Sequence, residues 1–233
     1  MCGRFVMLTF DEVLQVVQCL EFHTPFNALP DWPARPSAYP GSEVPVIVPG
    51  EEGLQARPLR WGFEASWQKG LVFNTRIETA LGPQPGLWRE PIRDGRCIVA
   101  TGGFFEPHRS QTRPSSRTGR PVKQQYLFQS PDDTPLLLAA VAGDGCFSVV
   151  TTVPNDTMAP IHDRMPLVLR PREVPLWLGP DFAALADRTG VALDVQREGN
   201  DAEDGDDSRG EATGNGSIGT GNHMPDPLQG TLF

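Results

Sequence analysis

Apolar residues recur at two periods along this chain. Val13, Val16, Val17 and Leu20 fall three and four apart behind Thr9 and Glu12. That spacing makes one helical face opened by a capping box, so a helix is predicted over residues 10–20. Elsewhere the apolar runs are short, β-branched and bounded by turn residues. Residues 44–48 and 55–61 predict two strands joined by Pro49-Gly50-Glu51-Glu52-Gly53. The run CIVATGGFF within 96–105 predicts a buried strand in which Gly102 and Gly103 admit close backbone approach, and it delivers Glu106 at its end. Further strands are predicted at 125–129, 136–141 and 146–152, a short one at 167–169 and a last one at 192–195. Two short helices are expected at 171–178 and 181–187. The proline-rich stretch 24–45 reads as ordered loop, 108–123 as a long basic hairpin loop carrying Arg109, Arg113, Arg117, Arg120 and Lys123, and 153–166 as irregular. The fold class is α+β: one strand-rich domain, a twisted and partly closed sheet system with short peripheral helices.

A chain of 233 residues is long enough for a sizeable core. No apolar run reaches transmembrane length and no signal-peptide pattern is present, so no membrane partner and a cytoplasmic location are expected. Cys2, Cys19, Cys97 and Cys146 are scattered with no CxxC pair, which points away from a zinc site or a disulfide scaffold. The net charge of −9 is misleading. Residues 198–233 hold eight acidic side chains against one basic, Arg209, and so carry seven of those nine charges. Their Gly, Asn, Asp and Ser content reads as a disordered acidic tail after a catalytic body at 1–197. With a body that close to neutral, the overall sign decides nothing about partners.

Chemistry-bearing side chains fall in four places: Cys2, Asn74 with Arg76 and Glu78, Glu106, and His162 with Arg164. Each has a plain alternative. Cys2 suits a buried small hydrophobe, Glu106 a solvated strand end, and His162 a hydrogen-bonded loop residue beside Asp163. If Met1 is removed, however, Cys2 carries an α-amine and a thiol on adjacent carbons, free values for which are roughly 8 and 8.5.

Four ordered blocks carry a resemblance: MCGRF at 1–5, RWG followed by Trp67 and FNTRIET at 73–79, GGFFEP at 102–107, and TTVPNDTMAPIHDRMPLVL at 151–169. Together they resemble the SOS-response-associated peptidase (SRAP) family, whose members crosslink to abasic sites in single-stranded DNA. The resemblance implies that Cys2, Asn74, Glu106 and His162 are catalytic and that Arg4, Trp67, Arg76 and Arg164 contact DNA, with no metal and no cofactor. It implies a thiazolidine adduct between Cys2 and the opened sugar, Glu106 as proton shuttle, and His162 beside the sugar hydroxyl. Lyase and self-directed peptidase activity, nucleoid association and a monomeric state are further expectations. The sequence departs from the family's pattern at Phe105 and Pro107, where a Tyr-Trp pair usually flanks the Glu. ARPSAYPGSEVPVI at 34–47 also lacks the family's Asn.

Two other readings stay open. One is an N-terminal-nucleophile cysteine peptidase or amidohydrolase, in its narrowest form removing only Met1. The other is a single-strand binding module whose Cys2 is structural. At the far end, Gln229, Leu232 and Phe233 match the spacing of the pentapeptide with which bacterial repair proteins dock on the sliding clamp.

Overall fold

The computed structural model describes residues 2–28 and 35–199. The chain opens with β1 (Arg4–Met7) and α1 (Phe10–Phe22). The expected capping box is present: Glu12 N–H donates to Thr9 Oγ1 at 3.3 Å and Thr9 N–H to Glu12 Oε2 at 2.8 Å. Val13, Val16, Val17 and Leu20 are the buried face, each contributing about 2 kcal/mol by leaving water. The helix runs two residues past its predicted end and stops at His23, a left-handed cap whose N–H donates to Cys19 O. The stretch read as loop contains a short strand, β2 (Ser37–Ala38), antiparallel to β1.

A hairpin follows as expected, β3 (Glu43–Gly50) and β4 (Gly53–Trp61). The aromatic and polar segment after it holds four small elements that were not predicted: β5 (Phe63–Glu64), β6 (Leu71–Val72), β7 (Asn74–Arg76) and α2 (Ile77–Ala80). Then come α3 (Arg89–Asp94), β8 (Arg96–Pro114) and β9 (Pro121–Gln129). The basic excursion is therefore mostly strand rather than loop. Thr112, Arg113 and Pro114 pair with Lys123, Val122 and Pro121. Burying Arg113 within the hairpin is incompatible with the solvated loop that charge alone indicates. The chain continues with β10 (Leu136–Gly143), β11 (Cys146–Thr152), β12 (Met165–Pro166), β13 (Val168–Leu169), α4 (Val174–Leu178) and β14 (Asp194–Arg197). The second expected C-terminal helix is a single 3-10 turn, Phe182–Leu185.

β10 pairs with β11, β11 runs parallel to β4, β4 pairs with β3, β3 with β8, and β8 returns to β10. These five strands close on themselves, and the β3–β8 contact is narrow, Ile47 opposite Ile98. β8 and β10 read as unbroken apolar runs because both faces are covered. Ile98 and Ala100 join the core that contains the α1 side chains; Cys97 and Val99 join a second core with Cys2, Phe5, Trp61 and Phe147. Trp61 anchors that second core. Its ring stacks with Phe147 at 6.2 Å, lies 4.5 Å from Phe5, and its Nε1 donates to Phe73 O at 3.0 Å.

Gly103 explains one of the two strand glycines. A Cβ there would stand 2.7 Å from the Phe128 carbonyl oxygen on β9, a backbone atom with no room to yield. Gly103→Ala is expected to destabilise the fold by about 2 kcal/mol through forced separation of β8 from β9, read as a lower urea midpoint. An unchanged midpoint would show that the two strands can spread at that point.

Candidate active site

β1 lies antiparallel to β8 with Arg4 opposite Phe105, so the chain start is drawn alongside the end of the buried run. Cys2 is fully buried, its Sγ 3.7 Å from Arg4 O. β7 lies parallel to β11 with Asn74 opposite Val149. From there Asn74 Nδ2 donates to Cys2 O at 2.9 Å, while Asn74 Oδ1 is buried with no hydrogen-bond partner among the described residues. Glu106, opposite Tyr126 of β9, is buried as well. His162 closes the group, its Nε2 4.0 Å from Glu106 Oε2.

The loop that presents His162 is built by Asn155. Its Oδ1 accepts from Met158 N–H at 2.9 Å, its Nδ2 donates to Val191 O at 2.8 Å, and His162 N–H then donates to Met158 O at 2.9 Å. The imidazole is oriented by Arg164 N–H, which donates to Nδ1 at 3.1 Å. Asp163 Oδ1 also approaches Nδ1, at 3.1 Å, and Nε2 is the nitrogen that faces Glu106. At 4.0 Å the two groups are too far apart for a direct hydrogen bond and close enough for one substrate oxygen to contact both.

Burial dominates the electrostatics of these groups. It pushes Glu106, with Asp163 adding to the effect, from an ordinary 4.5 up to about 7. It lowers His162 below the ordinary histidine value against an opposing pull from Asp163. It raises the Cys2 thiol, and the charge of Glu106 raises it further, which measures how closely the two are coupled. Near neutral pH the site thus holds a protonated thiol, a neutral imidazole and a carboxyl group poised between its two forms.

Of the residues expected to meet DNA, Arg76 and Arg164 share the surroundings of Glu78 and Thr151. Arg76 is exposed, at the N-cap of α2. Trp67 lies on the turn between β5 and β6 with two-thirds of its surface free (67%). Arg164 is committed elsewhere: its guanidinium contacts the Glu78 carboxylate at 2.8 and 2.9 Å and donates to Thr151 O at 2.9 Å. Burial is the largest single influence on Glu78 and works to raise it, but the Arg164 hydrogen bond, its own backbone N–H and the charges of Arg164 and Arg76 together outweigh it, so the carboxyl sits below its ordinary range. Arg4 donates from Nε to Ser37 Oγ at 3.0 Å and from Nη1 to Glu198 Oε1 at 2.6 Å. Gln229, Leu232 and Phe233 lie outside the described residues. Among the described residues no cluster of His, Cys, Asp or Glu is placed to hold a metal, and no helix is long and apolar enough to cross a membrane. A cleft of about 550 Å³ opens between the end of α1, the β3–β4 turn and α4, and none of the four site residues lines it.

The family model for SOS response associated peptidase (SRAP) matches residues 1–199. The chain belongs to this family. Among SRAP relatives, abasic site processing protein YoqW of Bacillus subtilis (strain 168) is 28% identical over 197 residues, covering 77% of this chain and 81% of that protein. Abasic site processing protein YedK of Escherichia coli (strain K12) is 28% identical over 189 residues, covering 76% and 79%. The fold is shared with a phage-related protein from Bordetella bronchiseptica, at a TM-score of 0.59 and 23% identity over 84% of this chain and 94% of that one. A protein from Bacteroides thetaiotaomicron matches at a TM-score of 0.57 and 21% identity over 86% and 93%.

Three contributors to this SRAP site were not singled out from sequence as builders of it: Asn155, Arg113 and Glu198. The Pro154-Asn155-Asp156 turn signal could have marked Asn155. Glu198 offered no signal, standing first in an acidic stretch.

The perturbed carboxyl has a testable consequence for stability. Because Glu106 holds its proton more tightly in the folded protein, the stability present while it is protonated is lost as pH rises from 4.5 to about 7. Glu106→Gln is therefore expected to gain on wild type by about 2 kcal/mol between roughly pH 5 and pH 8. Denaturant titrations at both pH values check this; a difference independent of pH would mean that the carboxyl titrates normally.

Proposed function

We propose that this protein processes abasic sites in single-stranded DNA and, once Met1 is removed, captures them covalently through Cys2. Support comes from the convergence of Cys2, Asn74, Glu106 and His162 at the end of the buried run of β8, in a chain whose SRAP relatives bear the name abasic site processing protein.

The chemistry follows from the groups present. The freed α-amine of Cys2 adds to the aldehyde carbon of the ring-opened sugar, giving a carbinolamine. Loss of water, with the proton delivered to the departing oxygen, leaves an iminium carbon. The thiol then adds to that carbon and releases its proton, closing a five-membered thiazolidine; the net change is aldehyde plus aminothiol to thiazolidine plus water. The second bond forms within one residue, so even a minority of thiolate suffices. Glu106, poised at about 7, can both give the proton that expels water and take the one the thiol releases. His162 Nε2 faces the same space and can contact the sugar oxygen. Asn74 fixes the Cys2 carbonyl, and its buried Oδ1 is an acceptor suited to the amine.

A hydrolase in which the thiolate attacks an amide has less support, since burial holds the Cys2 thiol in its protonated form. Removal of Met1 by the protein itself is the narrow form of that reading.

An oligonucleotide with one abasic site is expected to give a retarded band with wild type on a denaturing gel and none with Cys2→Ala. Glu106→Gln and His162→Ala should slow band formation about 10- to 100-fold. Mass analysis of the same sample should show Cys2 as the first residue. Adduct formation by Cys2→Ala, or by protein retaining Met1, contradicts the scheme.

Recruitment is a separable part of the proposal. Gln229, Leu232 and Phe233 would dock on the sliding clamp, and the residues between 199 and 229 would serve as the tether. Deleting 229–233 should abolish capture by immobilised clamp while leaving the adduct assay unchanged; retained capture excludes the motif.

A further inference from the structure

One charged cluster beside the site takes no part in that chemistry. Arg4 lies two residues from the proposed nucleophile, and its guanidinium sits 3.8 Å over the ring of Phe105, the neighbour of Glu106. Facing it is Glu198, whose Oε1 is 2.6 Å from Arg4 Nη1 and whose Oε2 is 4.0 Å from Arg113 Nη2. The Glu198 and Arg113 side chains are 8% and 3% exposed, so this is not a surface ion pair. Backbone bonds hold the carboxylate in place: Glu198 N–H donates to Gln125 O at 3.0 Å and Gln124 Nε2 donates to Glu198 O at 2.9 Å.

The arrangement has two properties of a filled anion site. Two guanidiniums meet one carboxylate, each oxygen nearest a different arginine, as the two free oxygens of a phosphodiester would be. Displacing Glu198 would cost the 2.6 Å charge-assisted contact with Arg4, and an incoming anion on the same guanidinium would restore it. Glu198 directly follows β14, whose four residues are all exposed and whose ladder partner is β9, so the backbone bonds that place it lie at the surface.

We propose that the Arg4–Arg113 cleft receives a phosphodiester of the DNA strand and that Glu198 occupies it as a built-in anion until DNA displaces it, loosening β14 from β9. This rests on the reading of the protein as a single-stranded DNA binder. It makes Arg4 a gated contact, for which the phosphodiester competes with Glu198.

The test uses the full chain and two oligonucleotides, one intact and one with an abasic site. Glu198→Gln is expected to bind the intact strand about three- to tenfold more tightly than wild type in an anisotropy titration, because the competing charge is gone. In wild type, amide hydrogen exchange at 194–198 should accelerate when the intact strand is added. Unchanged or weaker binding by Glu198→Gln overturns the gate, as does undiminished protection of 194–198 in DNA-bound wild type; the latter needs no variant to fold. Adduct formation with the abasic strand reports on the proposed chemistry alone. If wild type forms no adduct, that chemistry fails, while the intact-strand measurements still decide the gate.

Discussion

The backbone ladder of β8 is the constraint on which the rest of this structure depends. Over its 19 residues it pairs in turn with β10, β3, β1 and β9. Its first half is buried on both faces and fixes the register of the ring. Its second half passes out of that ring and carries Glu106 to the point where β1 begins. Pairing of Arg4 with Phe105 then leaves Cys2 nowhere to go except beside Glu106. Through β9 the same ladder sets the position of β14, and hence of Glu198, at the other edge. Arg4 and Glu198, far apart in sequence, thus meet at one place because a single strand serves as the ruler for both.

Around that ruler the molecule accepts groups that burial disfavours. Glu106 is a carboxyl group in an apolar interior, and Asn74 keeps an oxygen without a partner among the described residues. Their retention in a well-packed core, with Met158, Ile161 and Phe104 close by, is the pattern of a site organised for a visitor instead of for stability. Arg164 shows the opposite use of charge. Tied to Glu78 and Thr151, it braces the His162 loop against α2.

Much of this was readable from residues alone, for physical reasons that differ by element. α1 was legible because a capping box and a 3.6-residue period agree over more than three turns. β8 and β10 were legible because strands buried on both faces are apolar throughout. The four catalytic candidates were legible through their sequence blocks. What stayed hidden was held by distant partners. β7 is three residues long and exists because β11 offers it an edge; no local window contains that edge. The Arg113 arm looked like loop because charge normally means solvent, and its burial depends on Glu198, far along the chain. Glu198 looked like tail because composition is averaged over a stretch, while its position is set by four residues of ladder just before it.

The shortness of the segment before β1 has a consequence of its own. Between Cys2 and the first residue of the ladder stands only Gly3. An extended chain advances about 3.5 Å per residue, so Cys2 is leashed within roughly 7 Å of a fixed point. If Cys2 is the nucleophile proposed above, so short a leash keeps it from searching. The work of discrimination would then pass to the strand, which must be able to swing a sugar inward, and a sugar still stacked under its base is hindered from doing so. Damage would be recognised here by how far a nucleotide can travel.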